Sequence, residues 1–191
     1  MPDPDSRLIR KAKQGNERAF KTLVEKYELK VLNLAFDILG NYADAKDVAQ
    51  DVFIRVLDKF HTFEGRSRFS TWLYRITVNL ATDYHRRADR RQFESLDVNP
   101  DSGDRKTSSD DMAPQAEVEL KVEQEELNSQ IRDALDILSP NQRIAIVLRY
   151  FHQKSTKEIA EILECHENTV RIHVFRALKN LRKCLIQIQA E

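Results

Sequence analysis

The sequence predicts an all-α protein of two helical domains joined by a flexible acidic linker. Three observations carry that reading. Apolar residues recur at three- and four-residue spacing toward both ends of the chain, which is the period of an amphipathic helix. Glycine is scarce, four in 191 residues, and 41% of the chain is hydrophobic against 32% charged. Between the periodic stretches, SLDVNPDSGDRKTSSDDMAPQ (Ser95–Gln115) gathers two prolines, a glycine and clustered Ser and Asp. Such a segment cannot bury enough apolar surface to fold by itself. The predicted division is a domain over residues 1–93, a linker over 94–126 and a domain over 127–191, with a helix starting near Glu117.

The helices follow in order. Asp5 or Ser6 can cap a short first helix that Gly15 stops. Asn16 can cap a second, with Ala19, Phe20, Leu23, Val24, Tyr27, Val31, Leu34, Ala35, Ile38 and Leu39 at helical spacing up to Gly40. A third puts Ala45, Val48, Ala49, Val52, Phe53, Val56, Leu57 and Phe60 on its apolar side and Asp47, Gln50, Asp51 and Arg55 on its polar side. A glycine-containing loop, His61 to Arg68, leads to a fourth helix that Ser70 or Thr71 can cap, with Leu73, Ile76, Thr77 and Leu80 inside. After the linker, Leu120, Leu127, Ile131, Leu135 and Leu138 resume the period. Ser139-Pro140 ends that helix and starts another, since proline suits the first helical position. Its inner face is Ile144, Ala145, Val147, Leu148 and Phe151.

Two helices close the chain. Ser155-Thr156-Lys157-Glu158 is a capping box, a hydroxyl at the cap and a glutamate three residues on. Ile159, Ala160, Ile162 and Leu163 give this helix its buried side, and Glu164-Cys165-His166 makes a short turn. The last helix starts near Glu167, with Val170, Val174, Ala177, Leu178, Leu181 and Leu185 inside. Its other face carries Asn168, Thr169, Arg171, Ile172, His173, Phe175, Arg176 and Lys179. A tight turn between two short helices, the second one basic, fits a helix-turn-helix whose second helix enters the major groove. An αα-hairpin in a small bundle is the alternative, and the small Ala160 and the outward Arg171, Arg176 and Lys179 favour DNA.

Several classes are excluded by composition. No apolar run approaches the ~18 residues a membrane span needs. The start, MPDPDSRLIRKAKQGN, is interrupted by charge before an apolar core can form, so no signal peptide is expected and the chain should stay in the cytoplasm. Cys165 and Cys184 are the only cysteines and form no CxxC; buried thiols are expected rather than a disulfide. The five histidines make no HxxxH or HExxH pair, so no metal is expected, nor any cofactor. The acids form no convergent set, which argues against catalysis.

The formal net charge is zero, but residues 1–93 carry +5, residues 94–126 carry −8 and residues 127–191 carry +3. Two basic blocks flanking an acidic connector suit a nucleic-acid binder. Within the first block, FHTFEGRSRFSTWLYRITVNLATDYHRR (Phe60–Arg87) interleaves six aromatic residues with Arg66, Arg68, Arg75, Arg86 and Arg87. Rings that stack on bases and arginines that hold phosphates are the chemistry of single-strand binding. A core-facing helix with a solvated basic side reads equally well from this segment alone.

Taken together, these stretches resemble the bacterial sigma factors of the extracytoplasmic-function (ECF) type. DAKDVAQDVFIRVLDKF (Asp44–Phe60) looks like region 2.2 of that family, and FSTWLYRITVNLATDYHRR (Phe69–Arg87) like regions 2.3 and 2.4. LSPNQRIAIVLRYF (Leu138–Phe151) looks like region 4.1, and STKEIAEILECHENTVRIHVFRALKNLRK (Ser155–Lys183) like region 4.2. The resemblance implies docking on core RNA polymerase, whose β′ coiled coil and β flap are the partners, with Asp47, Gln50, Asp51 and Arg55 in the contact. It implies a minus-ten element taken as separated strands, with Phe63, Trp72, Tyr74 and Asn79 around an unstacked base and Arg66, Arg68, Arg75 and Arg86 near the backbone. It implies a minus-35 duplex read by the last helix, and an anti-sigma factor as a further partner. One departure bears on specificity. The family's usual Lys/Arg-Ser-Arg after Thr-Val is Arg171-Ile172-His173 here, so an outward Ile172 can meet a thymine methyl. A stand-alone helix-turn-helix regulator is the rival reading; it would leave the aromatic-basic segment and the third helix unexplained.

Overall fold

Local capping chemistry sets most of the boundaries. The computed structural model describes residues 3–95 and 134–188. Helix α1 (Ser6–Lys13) ends before Gly15, whose φ of +85° only glycine adopts at no cost. Helix α2 (Glu17–Leu39) starts where the Asn16 side chain accepts the backbone N–H of Ala19 at 3.0 Å. It ends at Gly40, whose φ is 72° and whose N–H bonds the Phe36 carbonyl at 2.8 Å. Asn41 repeats the device for α3 (Tyr42–Lys59) by accepting from the N–H of Asp44. A 3₁₀ turn (Phe60–Thr62) and a loop lead to α4 (Phe69–Ser95). The second unit holds α5 (Pro140–Ile146), a π turn (Val147–Phe151), α6 (Thr156–Leu163) and α7 (Glu167–Ile188). No strand occurs among the described residues.

In the first unit, α2, α3 and α4 pack against one another. Leu23, Val31, Leu34, Val48, Val52, Val56 and Leu73 are essentially without solvent contact. Each such aliphatic side chain contributes about 1.5–3 kcal/mol relative to exposure. One end of the bundle is aromatic. Phe69 meets Tyr27, Phe60 and Phe63 edge-on, with centroids 5.5, 6.1 and 5.7 Å away. Such pairs add about 0.5–1.5 kcal/mol each beyond their buried area. The second unit has an aliphatic core instead, built on Val147, Leu148, Ile159, Val170 and Ala177. The apolar core is continuous through both units.

Several expectations need correction. Asp5 stands at the α1 N-cap but makes no cap bond; its carboxylate takes the Tyr27 hydroxyl at 2.5 Å and the Lys26 ammonium. Neither Ser70 nor Thr71 precedes α4, which begins at Phe69; the Asp3 carboxylate accepts the Phe69 N–H across the fold. Leu57 is 61% exposed rather than inward. The buried stripe of α3 runs through Ala45, Val48, Val52 and Val56, and the next residue stands about 100° off it. Leu178, one residue past buried Ala177, is exposed for the same reason. Phe151 is exposed because the π turn adds a residue and rotates it off the inner face. Cys165 and Cys184 are free thiols and only half-buried. The linker, the helical pattern from Glu117 with Leu120, Leu127 and Ile131, and the side chain of Leu185 lie outside the described residues.

Candidate nucleic-acid interface

The loop before α4 and the helix itself distribute the expected strand-reading residues over three settings. Phe63 and Tyr74 are buried, at 5% and 4% exposure. Phe63 packs on Phe69 and on half-buried Trp72, whose ring centre is 5.2 Å away. It belongs to the aromatic end of the core, where it packs between buried Phe69 and half-buried Trp72. Tyr74 is covered by the second unit instead. Its ring meets His152 edge-on at 5.6 Å and carries the Lys154 ammonium 4.4 Å from its centre. Burial, and then the charge of Asp37, push the Tyr74 phenol up to about 12. Burial pulls the Lys154 amine below its ordinary range against the opposing charge of Glu158, and Lys30 and Arg68 add to the lowering.

The remaining residues of this group are at the surface or in the seam between units. Arg66 is exposed and pairs with Glu64 at 2.6 Å, and Arg68 is exposed beside it. Asn79 and Arg86 line a cleft of about 430 Å³ whose opposite wall includes Thr169 and His173 of α7. Arg75 is turned into the seam. Its guanidinium donates to the Glu164 carboxylate at 2.7 Å and to the Glu161 carbonyl at 3.0 Å. Its Nε is buried and has no hydrogen-bond partner among the described residues. A buried donor left unmatched costs about 1–3 kcal/mol.

The seam is held by further polar contacts that sequence reasoning did not find. His152 bridges the units, with Nε2 2.9 Å from Asp37 and Nδ1 3.3 Å from the Tyr74 hydroxyl. Arg143 donates to the Ile38 carbonyl at 3.2 Å. Their partners lie about a hundred residues apart in sequence, so no local pattern marks them.

The helix-turn-helix is built as its capping box requires. The Glu158 carboxylate accepts from the Ser155 N–H at 2.9 Å, and Ser155 Oγ accepts from the Glu158 N–H at 3.2 Å. These bonds hold the Glu158 carboxyl below its ordinary range. Glu164 ends α6 in a left-handed conformation, φ 51°, which costs a non-glycine residue about 1–2 kcal/mol. On α7, Asn168, Arg171, Ile172, Phe175, Arg176 and Lys179 are exposed, Phe175 by 70%. Thr169 and His173 are half-buried and face the cleft. Arg171 is pre-positioned by Asn168 at 2.6 Å and Glu167 at 3.1 Å.

On α3, Asp47, Gln50, Asp51 and Arg55 are all exposed. Exposed Ile54 and Leu57 stand among them. Apolar groups within a charged face are the composition of a protein-docking surface. Among the described residues, no cluster of His, Cys, Asp or Glu could hold a metal ion, and no helix is long and apolar enough to cross a membrane.

Comparisons with known proteins agree along the chain. Residues 23–91 match the family model of sigma-70 region 2, and residues 128–181 match that of sigma-70 region 4. The RNA polymerase sigma-H factor of Pseudomonas aeruginosa is 31% identical over 183 residues, which covers 96% of this chain and 94% of that protein. The ECF RNA polymerase sigma factor SigW of Bacillus subtilis is 34% identical, over 93% of this chain and 94% of its own. The ECF RNA polymerase sigma-E factor of Escherichia coli is 34% identical, over 91% and 90%. Among solved structures, CnrH in complex with the cytosolic domain of CnrY has the same fold, with a TM-score of 0.69 at 24% identity over 97% of this chain and 99% of that one. RpoE of Bartonella quintana, solved with the anti-sigma factor NepR, has a TM-score of 0.64 at 23% identity over 87% and 96%.

Proposed function

This chain belongs to the sigma-70 family as a factor of the ECF type, and from that premise we propose how its surfaces divide the work. It binds core RNA polymerase and directs initiation at particular promoters. The observation that carries the reading is the order of surfaces along one chain: a mixed polar and apolar face on α3, an aromatic and basic helix α4, and an exposed basic recognition helix α7. The catalysis is the polymerase's, and this chain supplies recognition, in the cytoplasm.

Asp47, Gln50, Asp51 and Arg55, with Ile54 and Leu57 among them, form the docking face for the polymerase β′ coiled coil, and the second unit meets the β flap. Arg66, Arg68, Arg75 and Arg86 follow the backbone of the melted minus-ten strand. Asn79 has the paired donor and acceptor that reading a base edge needs, and Trp72 offers a stacking surface. Phe63 and Tyr74 hold that surface in shape from beneath. Helix α7 enters the major groove at the minus-35 element, with Arg171 nearest its N-terminus. Phe175 and Ile172 supply apolar contact to thymine methyl groups there. An anti-sigma factor is a further partner; the complexes of CnrH and of RpoE support this.

The test is reconstitution. The chain, mixed with core polymerase, should co-purify and drive specific transcription from a subset of genomic promoters. Asp51→Arg with Gln50→Ala should abolish co-purification in a folded chain. Asn79→Ala should reduce permanganate reactivity at the minus-ten element on closed duplex more than on a pre-melted template. A chain that never associates with polymerase overturns the reading.

A further inference from the structure

We infer that residues 3–13 brace the loop before α4, with Asp3 and Lys13 as positioning residues that hold its two ends. The inference rests on the proposed reading of that loop and α4 as the surface for the melted minus-ten strand, and deepens it. Between the buried rings of Phe63 and Phe69 the loop carries exposed Glu64, Arg66 and Arg68. Glu64 and Arg66 pair with one another at 2.6 Å, a contact internal to the loop. A loop that must enclose a base gives up affinity for whatever order it acquires only on binding. Order supplied beforehand is therefore part of the site, and here it comes from the start of the chain.

At the far end of the loop, Phe69 opens α4, and its N–H is one of the donors that a helix start leaves unpaired. The Asp3 carboxylate matches it. Oδ2 accepts the Phe69 N–H, while Oδ1 accepts the Asp5 N–H at 2.8 Å. The Asp3 carbonyl accepts the Ser6 N–H at 3.0 Å. One residue thus ties the start of α1 to the start of α4. At the near end, the Lys13 ammonium donates to the Phe63 carbonyl and lies 5.9 Å from the centre of the Phe63 ring. Lys13 ends α1, whose eight residues make a rod of about 12 Å between the two attachments. The rod is itself fixed. Ile9 is buried, and buried Asp5 receives the Tyr27 hydroxyl at 2.5 Å and the Lys26 ammonium. Tyr27 in turn meets the Phe69 ring edge-on. Burial, and then the bond to Asp5, push the Tyr27 phenol above its ordinary range, which keeps it a donor. Asp3 has a second effect. A helix start attracts anions, and here a carboxylate of the chain already holds that place. The phosphates of a bound strand are left to Arg66 and Arg68.

The experiment uses the full chain and its holoenzyme, with Asp3→Ala, Lys13→Met and the conservative Asp3→Asn, which keeps a side-chain acceptor. Hydrogen exchange read by mass spectrometry compares residues 63–69 with α2 and α3. Fluorescence anisotropy of holoenzyme follows a labelled minus-ten non-template strand, taken from a promoter that the wild type transcribes, and a labelled minus-35 duplex. Asp3→Ala and Lys13→Met should speed exchange over 63–69 and leave α2 and α3 protected. Each should lower strand affinity about fivefold, the scale of one hydrogen bond, with core-polymerase and duplex affinity unchanged. Asp3→Asn should recover most of the strand affinity. Combined with Arg68→Ala, Asp3→Ala should cost less than the two losses multiplied, because the brace acts in part through that cation. A residue that only stabilised the fold would lower strand and duplex affinity together, and that result overturns the positioning role. Folded variants with unchanged exchange, or with faster exchange and wild-type strand affinity, also overturn it and leave the sigma-factor reading intact. A wild-type holoenzyme that neither binds the strand nor transcribes overturns that reading, and the exchange data then still decide whether Asp3 and Lys13 hold the loop.

Discussion

The two faces proposed to read nucleic acid are finished to different degrees. Helix α7 presents Arg171, Ile172, Phe175 and Arg176 to solvent, and Arg171 is already positioned by its neighbours. Helix α4 turns Arg75 and Tyr74 into the other unit and packs Trp72 at a tilt against Phe63. The difference follows from what each must bind. Base edges of a duplex are already displayed in the groove, so a rigid exposed surface meets them. An unstacked base has to be enclosed on several sides, so its site is made of groups that can also pack against protein. A strand-reading face is therefore the easier of the two to hide.

The sharpest way to break this contrast is to remove the aromatic support beneath α4. Phe69→Ala deletes a ring in contact with Tyr27, Phe60, Phe63 and Trp72 and should cost about 3–5 kcal/mol of stability in urea unfolding. The matching change on α7, Phe175→Ala, should leave stability within about 0.5 kcal/mol and lower only duplex affinity.

A second measurement sharpens the α7 side. Arg171 and Arg176 are five residues apart, about 140° around the helix, so both cannot face the groove floor. Arg171→Ala in holoenzyme should cost ~1–3 kcal/mol and relax preference at one minus-35 position. Arg176→Ala should weaken single-base minus-35 variants alike and make the salt dependence shallower. Uniform loss in Arg171→Ala would sink its role as base reader.

Two smaller effects follow. Ser155→Ala removes the side-chain half of the capping box, the Ser155 Oγ that accepts the Glu158 N–H, and should destabilise the second unit by about 1 kcal/mol, read as a shift in its thermal melting. The last concerns Tyr74. Its phenol is raised from 10.0 to about 12, so its neutral form favours the folded chain. That contribution is complete below the ordinary phenol range and is lost as pH rises through about 12. Phenolate absorbance should show the midpoint falling in Asp37→Asn, since Asp37 supplies part of the shift.

What the sequence made legible was local. Asn16 at the start of α2, Gly40 at its end and the Ser155–Glu158 box all act within four residues, and all stand where expected. The exposure of the basic α7 face was readable for the same reason. What could not be read depends on partners far along the chain. The Asp3 carboxylate receives the Phe69 N–H, 66 residues away. His152 finds Asp37 and Tyr74. Aromatic composition does not say whether a ring faces a base or a core, and Phe63 and Tyr74 were settled only by what packs on them. Leu57 and Leu178 show the limit of periodicity, which places a residue to within one step of the helix and no better.

The π turn over Val147–Phe151 gives the chain a sensitivity to length that composition does not reveal. The His152 N–H reaches back to the Val147 carbonyl at 3.1 Å, closing a loop one residue wider than an α turn. Loss of the codon for Arg149 or Tyr150, both exposed, would let the regular ladder heal. The helix would survive, but everything after it would turn by about 100°, and His152 would swing away from both Asp37 and Tyr74. A single in-frame deletion here would thus break the His152 contacts to the first unit without touching a residue of either reading surface.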